Sequence, residues 1–160
     1  SMLTPAGPDH AQVAAAGGVL DYINSLASHH GFKSKASVAE DLAGACRFVS
    51  ELWHEHERAM FAPLLDYLNT RQNVRYLGGR AATKDRCPLV TFSVVDKDPA
   101  VLTEALCERK ILCCTSHCYA PRLLEAVGMD AQRGGVRFSM AHFNNDDDVS
   151  ATIAALDELL

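Results

Sequence analysis

The stretch from Gly134 to Val149 constrains the fold more than any other part of the chain, because its hydrophobic period changes within it. Residues 136–141 alternate between apolar and polar or small side chains, as a strand with one buried face does. After Asn144 and Asn145, three aspartates precede apolar residues that recur at helical spacing. The pattern predicts a strand, a tight turn and an amphipathic helix capped by Asn145. Arg137 places a permanent cation in the middle of that strand.

This stretch resembles a motif near the C-terminus of class V aminotransferases and cysteine desulfurases. Those are fold-type-I enzymes that use pyridoxal 5′-phosphate (PLP). The motif is Val-Arg-x-Ser-x-x-x-Tyr-Asn-Thr-x-Glu-Glu-Val, and the residues that match it here are Val136, Arg137, Ser139, Phe143, Asn144, Asn145, Asp147, Asp148 and Val149.

The resemblance implies that Arg137 binds the α-carboxylate of an amino-acid substrate, as the matching arginine does in the family. A planar guanidinium suits that role because it can bind a carboxylate through two parallel hydrogen bonds. The residues alone leave a second interpretation open. In that interpretation Arg137 pairs with a neighbouring Asp or Glu on the open face of the sheet.

A second loop, residues 115–121, is similar to the cysteine-desulfurase run Thr-Gly-His-His-Cys-Ala, whose cysteine takes the sulfur of the substrate as a persulfide. Here the run is Thr-Ser-His-Cys-Tyr-Ala, so Tyr119 occupies the cysteine position and Cys118 comes one residue earlier. Persulfide chemistry is therefore not expected. The resemblance places His117 and Tyr119 near the substrate.

A metal site is the alternative for this region, with Cys113, Cys114, His117 and Cys118 as ligands. Their spacing matches none of the usual zinc ligand pairs, so no metal is expected. We interpret the six cysteines of the chain as reduced thiols, because they fall mostly within predicted helices and strands. This usage indicates a cytoplasmic protein, with an organelle as the alternative for the full-length chain.

Periodicity and breakers predict the order of the elements. Asp9 can cap a helix over 10–29, and Ser37 can cap a long helix to about residue 70 that Pro63 should kink or break. The remaining predicted elements are strands over 74–77, 89–95, 111–115 and 136–141, and helices over 99–109, 121–127 and from 146 onward.

These elements predict an α+β fold. A right-handed crossover is predicted from strand 89–95 through helix 99–109 to strand 111–115. Strand 136–141 fits between these two strands and antiparallel to them. The result is a small mixed, mainly antiparallel sheet of about four strands with helices packed on one face. A long helix and an N-terminal helix complete it, as in the small domain of aminotransferases.

Composition limits the class of protein. A net charge of −5 argues against a nucleic-acid surface, and no apolar run reaches the roughly 18 residues that a membrane helix needs. Residues 1–9 are predicted to be a cloning remnant, Ser1-Met2, and an irregular arm. Residues 10–160 are predicted to be one domain.

The resemblance implies that residues 10–160 are the C-terminal small domain of a longer PLP-dependent enzyme. In the family, the lysine that carries the cofactor lies in the large domain, and none of the five lysines here falls in such a motif. We therefore expect PLP, the large domain, an amino-acid substrate and a homodimer only in the intact protein. The fragment itself should be inactive. The alternative is a stand-alone α+β interaction domain that assembles through its long helix.

Overall fold

The computed structural model describes residues 9–33 and 38–160, so most of the predicted N-terminal arm and the predicted Ser37 cap lie outside the described residues. The helices are α1 (His10–His29), α2 (Val38–Thr70), α3 (Pro99–Glu108), α4 (Pro121–Ala126) and α5 (Asp146–Leu159). The strands are β1 (Val74–Tyr76), β2 (Leu89–Val94), β3 (Cys114–Ser116) and β4 (Gly135–Ser139). No described helix is both long and apolar enough to span a bilayer.

The chain forms two compact units, within residues 1–53 and 54–160, and the boundary falls inside α2. In the first unit, Ala27 of α1 is buried with Ala45 and Val49 of α2. The Asp9 side chain caps α1 by accepting hydrogen bonds from two backbone N–H groups of its first turn. Helix α1 exposes apolar side chains along much of its length, among them Val13, Val19, Leu20 and Tyr22.

The second unit contains a four-stranded sheet with strand order β1-β2-β4-β3. Strand β4 lies antiparallel between β2 and β3, as the sequence predicts. Because β4 separates them, the two parallel strands of the crossover are not hydrogen-bonded neighbours. The predicted α+β class and the number of strands are therefore confirmed. Every hydrogen-bonded pair of strands in the sheet is antiparallel.

The core of the second unit lies on one face of this sheet. Val90 faces Phe138 and Phe92 faces Val136 across the β2–β4 register, and all four side chains are buried. The aromatic rings of Phe92 and Phe138 stack with centroids 5.6 Å apart. Three helices cover this face, and the helical side chains in the same core are Phe61, Leu64, Leu65 and Leu68 of α2, Leu102 and Leu106 of α3, and Ala155 and Leu156 of α5. Each large aliphatic or aromatic side chain buried there contributes roughly 1.5–3 kcal/mol.

The short helix α4 and the segment after it lie toward the opposite face. Leu124, Met129 and Ala131 form a small buried cluster with the partly buried Leu77. A Cβ added at Gly135 of β4 would lie 2.6 Å from the Met129 side chain, which places Met129 over this end of the sheet. The rest of this face carries both polar side chains, such as Thr91 and Arg137, and apolar ones, such as Leu89.

Most predicted boundaries lie within one or two residues of those in the structure, and the larger differences concern β3 and α2. Strand β3 begins at Cys114 instead of residue 111, because residues 109–111 are used to end α3: the Ile111 N–H donates to the Leu106 carbonyl at 3.0 Å. The sequence predicted that Pro63 would kink or break the long helix, and α2 continues through Pro63 as one helix, so the break does not occur.

Candidate functional site

A cavity of about 760 Å³ opens on the face of the sheet opposite the core of the second unit. It is enclosed by the strands, by the loop between β1 and β2 and by the segment between β3 and α4. The side chains that matter most for its chemistry are Arg86, Thr91, Cys118 and Arg137.

Arg137 reaches this cavity because neighbouring residues of a strand point to opposite faces. Val136 and Phe138 are buried in the core, so the side chain between them projects from the other face. The backbone of Arg137 is held on both sides, opposite Thr91 of β2 and Cys114 of β3. The structure therefore places the guanidinium where the strand alternation predicts it.

The guanidinium of Arg137 has no protein partner within the described part of the chain. Its Nε atom is buried and makes no hydrogen bond there. The ion pairs among the described residues join Arg71 to Asp157, Arg109 to Glu158 and Arg133 to Asp98. An acidic partner on the sheet, the alternative that the sequence left open, is not present among these residues.

Thr91 and Cys118 lie beside Arg137 in the cavity wall. Thr91 is the cross-strand neighbour of Arg137 and is buried. Its Oγ1 lies 3.8 Å from the Sγ of Cys118. A hydroxyl, a thiol and a guanidinium thus line one wall of the cavity.

The direction of Cys118 is set by a tight turn over residues 117–120. The Ala120 N–H donates to the His117 carbonyl at 2.8 Å, and Cys118 and Tyr119 both have positive φ, at 51° and 57°. Positive φ at both central residues is typical of a type I′ turn, and it is strained for side chains other than Gly, Asn or Asp. The Cys118 N–H also donates to Ser116 Oγ at 2.7 Å, which helps to hold the turn.

The other two predicted site residues lie on the outside of this turn. Tyr119 is 97% exposed, and its ring meets the His117 ring edge-on at 6.1 Å. The Tyr119 N–H donates to His117 Nδ1 at 3.1 Å, so Nδ1 acts as the acceptor and Nε2 carries the proton of the neutral ring. The turn brings Cys118 to the cavity that contains Arg137, whereas His117 and Tyr119 do not line it. Substrate contact by these two residues stays a prediction.

Arg86 is a second cation of the cavity wall, and Nη2 of its guanidinium is already hydrogen-bonded, although its Nε is buried without a hydrogen bond among the described residues. Nη2 donates to the Leu77 carbonyl at 3.3 Å and the Leu89 carbonyl at 3.4 Å. The guanidinium also lies 5.3 Å from the centroid of the Phe61 ring. These contacts tie the loop between β1 and β2 to the strands. We therefore regard Arg86 as a residue that shapes the cavity.

Sequence reasoning did not identify Arg86, Thr91 or Cys118 as site residues. Thr91 had a usable signal, because strand alternation and an antiparallel register with β4 place it on the face of Arg137. Arg86 had none, since it lies in an irregular polar loop. No group of three or more His, Cys, Asp or Glu residues in the described ranges is arranged to hold a metal ion.

Comparison with known families identifies the class of this protein. The family model described as aminotransferase class V matches residues 11–152. The chain belongs to this family.

Among the individual proteins that this chain is similar to are cysteine desulfurases and a NifS-like protein. A probable cysteine desulfurase of Pseudomonas putida is 28% identical over 151 residues, which cover 94% of this chain and 30% of that protein. A solved cysteine desulfurase from Thermococcus onnurineus has a TM-score of 0.60 at 21% identity, over 80% of this chain and 32% of its own. A NifS-like protein from Rickettsia africae has a TM-score of 0.60 at 18% identity, over 83% of this chain and 38% of its own. The structural likenesses show the shared fold, and the chain spans about a third of the length of these proteins.

Proposed function

We propose that this chain is the C-terminal domain of a longer PLP-dependent class V enzyme that acts on an amino acid. Family membership supports this, as does the fraction of its relatives' length that the chain covers, 30% in the curated relative. The main support for a substrate-binding role of this domain is the environment of Arg137. Its side chain lines an open cavity and has no partner among the described residues.

Arg137 is proposed to bind the α-carboxylate of the substrate. The buried Nε–H of Arg137 is unfavourable without a partner, because its desolvation is not offset by a hydrogen bond. A carboxylate that enters the cavity would supply two charge-assisted hydrogen bonds in the geometry that the guanidinium prefers. The strand holds the backbone of Arg137 between β2 and β3, so the binding group is positioned before the substrate arrives.

The residues of the cavity fit a carboxylate and do not fit PLP as a covalently held cofactor. PLP, when bound to such enzymes, supplies an electron sink for chemistry at the amino-acid α-carbon, and it is held by a lysine. No lysine lines this cavity, and Lys84, Lys97 and Lys110 of the second unit are exposed elsewhere. We assign the cofactor to the remainder of the parent protein, and we infer that the fragment alone is inactive.

The exposed turn is proposed to face the substrate from the rim of the cavity. His117 and Tyr119 project from it, so both would meet the substrate or the large domain only in the intact protein. The exposed apolar side chains of α1 are consistent with a further protein surface that covers that helix. A homodimeric, cytoplasmic parent enzyme is part of the same proposal.

Substitution of Arg137 in the full-length parent tests the proposal. Arg137→Ala removes a charge-assisted contact of about 2–3 kcal/mol, which corresponds to roughly 30- to 150-fold weaker binding. Arg137→Lys should recover only part of this, because an ammonium cannot reproduce the two parallel hydrogen bonds. The apparent Kd for L-cysteine, followed through the change in cofactor absorbance, measures both effects.

Arg122→Ala is the matched control, because it removes an exposed arginine that does not line the cavity. It should leave the apparent Kd within about twofold of the unsubstituted protein. Equal Kd values for the unsubstituted protein and Arg137→Ala would exclude the carboxylate role and favour the interaction-domain alternative. Coding sequence for a lysine-bearing domain upstream of residue 1 would separately test whether the parent is an enzyme.

A further inference from the structure

The end of α3 brings a second cysteine back alongside the helix. The Ile111 N–H donates to the Leu106 carbonyl at 3.0 Å, and the Lys110 N–H donates to the Cys107 carbonyl at 2.9 Å. Lys110 has a φ of 63°, so the chain reverses direction in the left-handed region immediately after the helix. The segment that follows therefore runs back along α3 toward its N-terminus before β3 begins.

The reversal places Cys113 against the face of α3 that carries Cys107. The Sγ of Cys113 lies 3.9 Å from the Thr103 carbonyl oxygen. Cys107 is four residues after Thr103, so it lies on the same face one turn further along, with its Cβ tilted back toward Thr103. Burial and the neighbouring Cys107 thiol raise the pKa of Cys113 to about 11. The two thiols are neighbours, with Cys107 exposed and Cys113 partly buried.

We propose that Cys107 and Cys113 form a reversible intramolecular disulfide, which makes the junction between α3 and β3 a redox modification site. The oxidant is a low-molecular-weight disulfide such as glutathione disulfide. The exposed Cys107 thiolate attacks one sulfur of it, expels one glutathione thiolate and forms a mixed disulfide. Cys113 then loses its proton to solvent, attacks the Cys107 sulfur and expels the second glutathione. The protein loses two protons and two electrons, and glutathione disulfide takes them up to become two molecules of glutathione.

The other nearby cysteines are turned away from Cys107. Cys114 follows Cys113 at the start of β3, where successive side chains point to opposite faces, and it pairs across the sheet with Arg137. Cys118 lies beyond the strand with its Sγ 3.8 Å from Thr91. Hydrogen bonds already connect α3 to β3 near the proposed disulfide. The hydroxyls of Thr103 and Thr115 are hydrogen-bonded to each other, and the Thr115 hydroxyl donates to the Pro99 carbonyl at 3.1 Å.

The test incubates the 160-residue chain with glutathione disulfide, alkylates the remaining thiols and digests with trypsin. Cleavage after Lys97, Arg109, Lys110 and Arg122 separates Cys107 from the peptide over 111–122, which contains Cys113, Cys114 and Cys118. The expected product is these two peptides joined by a disulfide, with a loss of about 2 Da from their summed mass. Fragmentation of the second peptide should locate the bond at Cys113. Dithiothreitol should reverse it.

Matched serine variants make the assignment specific. Cys113→Ser should abolish the linked peptide and leave glutathione on Cys107, whereas Cys114→Ser and Cys118→Ser should retain the linkage. At pH values below the pKa of Cys113, the rate of closure from the mixed disulfide should increase about tenfold for each unit by which the pH is raised, because only the thiolate attacks. Absence of the linked peptide in the unsubstituted chain overturns the proposal. A linkage through Cys114 or Cys118 that survives Cys113→Ser overturns it equally.

Discussion

Arg137 and Gly134 illustrate how single residues define the candidate site. Arg137 faces the cavity because the strand alternation leaves it no other face. Gly134 allows that strand to start where it does. It has a φ of 73°, and a Cβ at this position would lie 2.7 Å from the backbone carbon and oxygen of Ser116. The close approach brings β4 against the end of β3 and the turn that carries Cys118.

Gly134→Ala should therefore destabilise the second unit. The added methyl group meets backbone atoms that cannot move aside as a side chain can, and the positive φ adds strain. We expect a loss of about 1–3 kcal/mol in the free energy of unfolding, measured by urea denaturation. Gly79→Ala is the matched control, because its nearest contact would be the Arg86 side chain at 3.9 Å. A loss at position 79 as large as that at 134 would contradict this explanation.

At the residue scale the sequence predicted the face of Arg137 and did not predict the direction of Cys118. The first follows from alternation, a regular property of strands. The second depends on positive φ at Cys118 and Tyr119, two residue types that give no signal for a left-handed turn. Tertiary contacts around the turn, such as the Cys118 N–H to Ser116 Oγ hydrogen bond, decide it instead.

Helix α5 shows how strongly an element boundary can be encoded locally. The Asn145 side chain accepts hydrogen bonds from the backbone of Asp147 and Asp148, and the Asp148 carboxylate accepts one from the Asn145 N–H at 3.1 Å. Asn144 Nδ2 donates to the same carboxylate at 3.0 Å. These hydrogen bonds, that from Asn144 first, lower the pKa of Asp148.

Asn144→Ala should raise the pKa of Asp148 toward the ordinary value of an aspartate, as followed by carboxyl NMR during acid titration. Because the folded pKa is lowered, the stabilisation is present above the unfolded-state pKa and is lost as pH falls through the folded value. The variant should thus lose stability at neutral pH and show a weaker dependence of stability on pH in the acid range. Asp98, whose pKa is lowered mainly by the Ala100 N–H, is remote from the change and serves as the internal reference. An unchanged Asp148 titration would show that Asn144 does not control it.

Elements with local start and stop signals were predicted closely, and those set by packing were not. The Asp9 cap gave the start of α1, and the Asn145 cap gave the start of α5. The predicted start of β3 was wrong because residues 109–111 form the turn that ends α3. No glycine in the sequence signals this turn. Pro63 did not break α2, where neighbouring Leu64 and Leu65 are buried in the core. Tertiary packing overrides the local penalty of proline there.

At the scale of the whole molecule, the sheet of the second unit separates the hydrophobic core from the candidate site. One face carries the apolar core beneath α2, α3 and α5. The other carries the cavity with Arg137, Thr91 and Cys118. The sequence predicted this division, because apolar and polar positions alternate along β2 and β4. It could not predict the size or walls of the cavity, since the irregular loop between β1 and β2 forms much of it.

The last prediction concerns the proposal that this domain binds the substrate carboxylate and that the rest of the parent protein holds the cofactor. If the cofactor lysine belongs to the remainder of the protein, PLP added to the 160-residue chain should give no saturable absorbance of a lysine adduct. Exposed lysines react weakly and without a preorganised pocket, so any adduct should increase linearly with PLP concentration. Borohydride reduction followed by peptide mass spectrometry should then find scattered, substoichiometric labelling. The full-length parent, treated in the same way, should instead carry one label at one lysine outside residues 1–160. A single stoichiometric label on any lysine of this chain would contradict the division and move the cofactor site into the domain that holds Arg137.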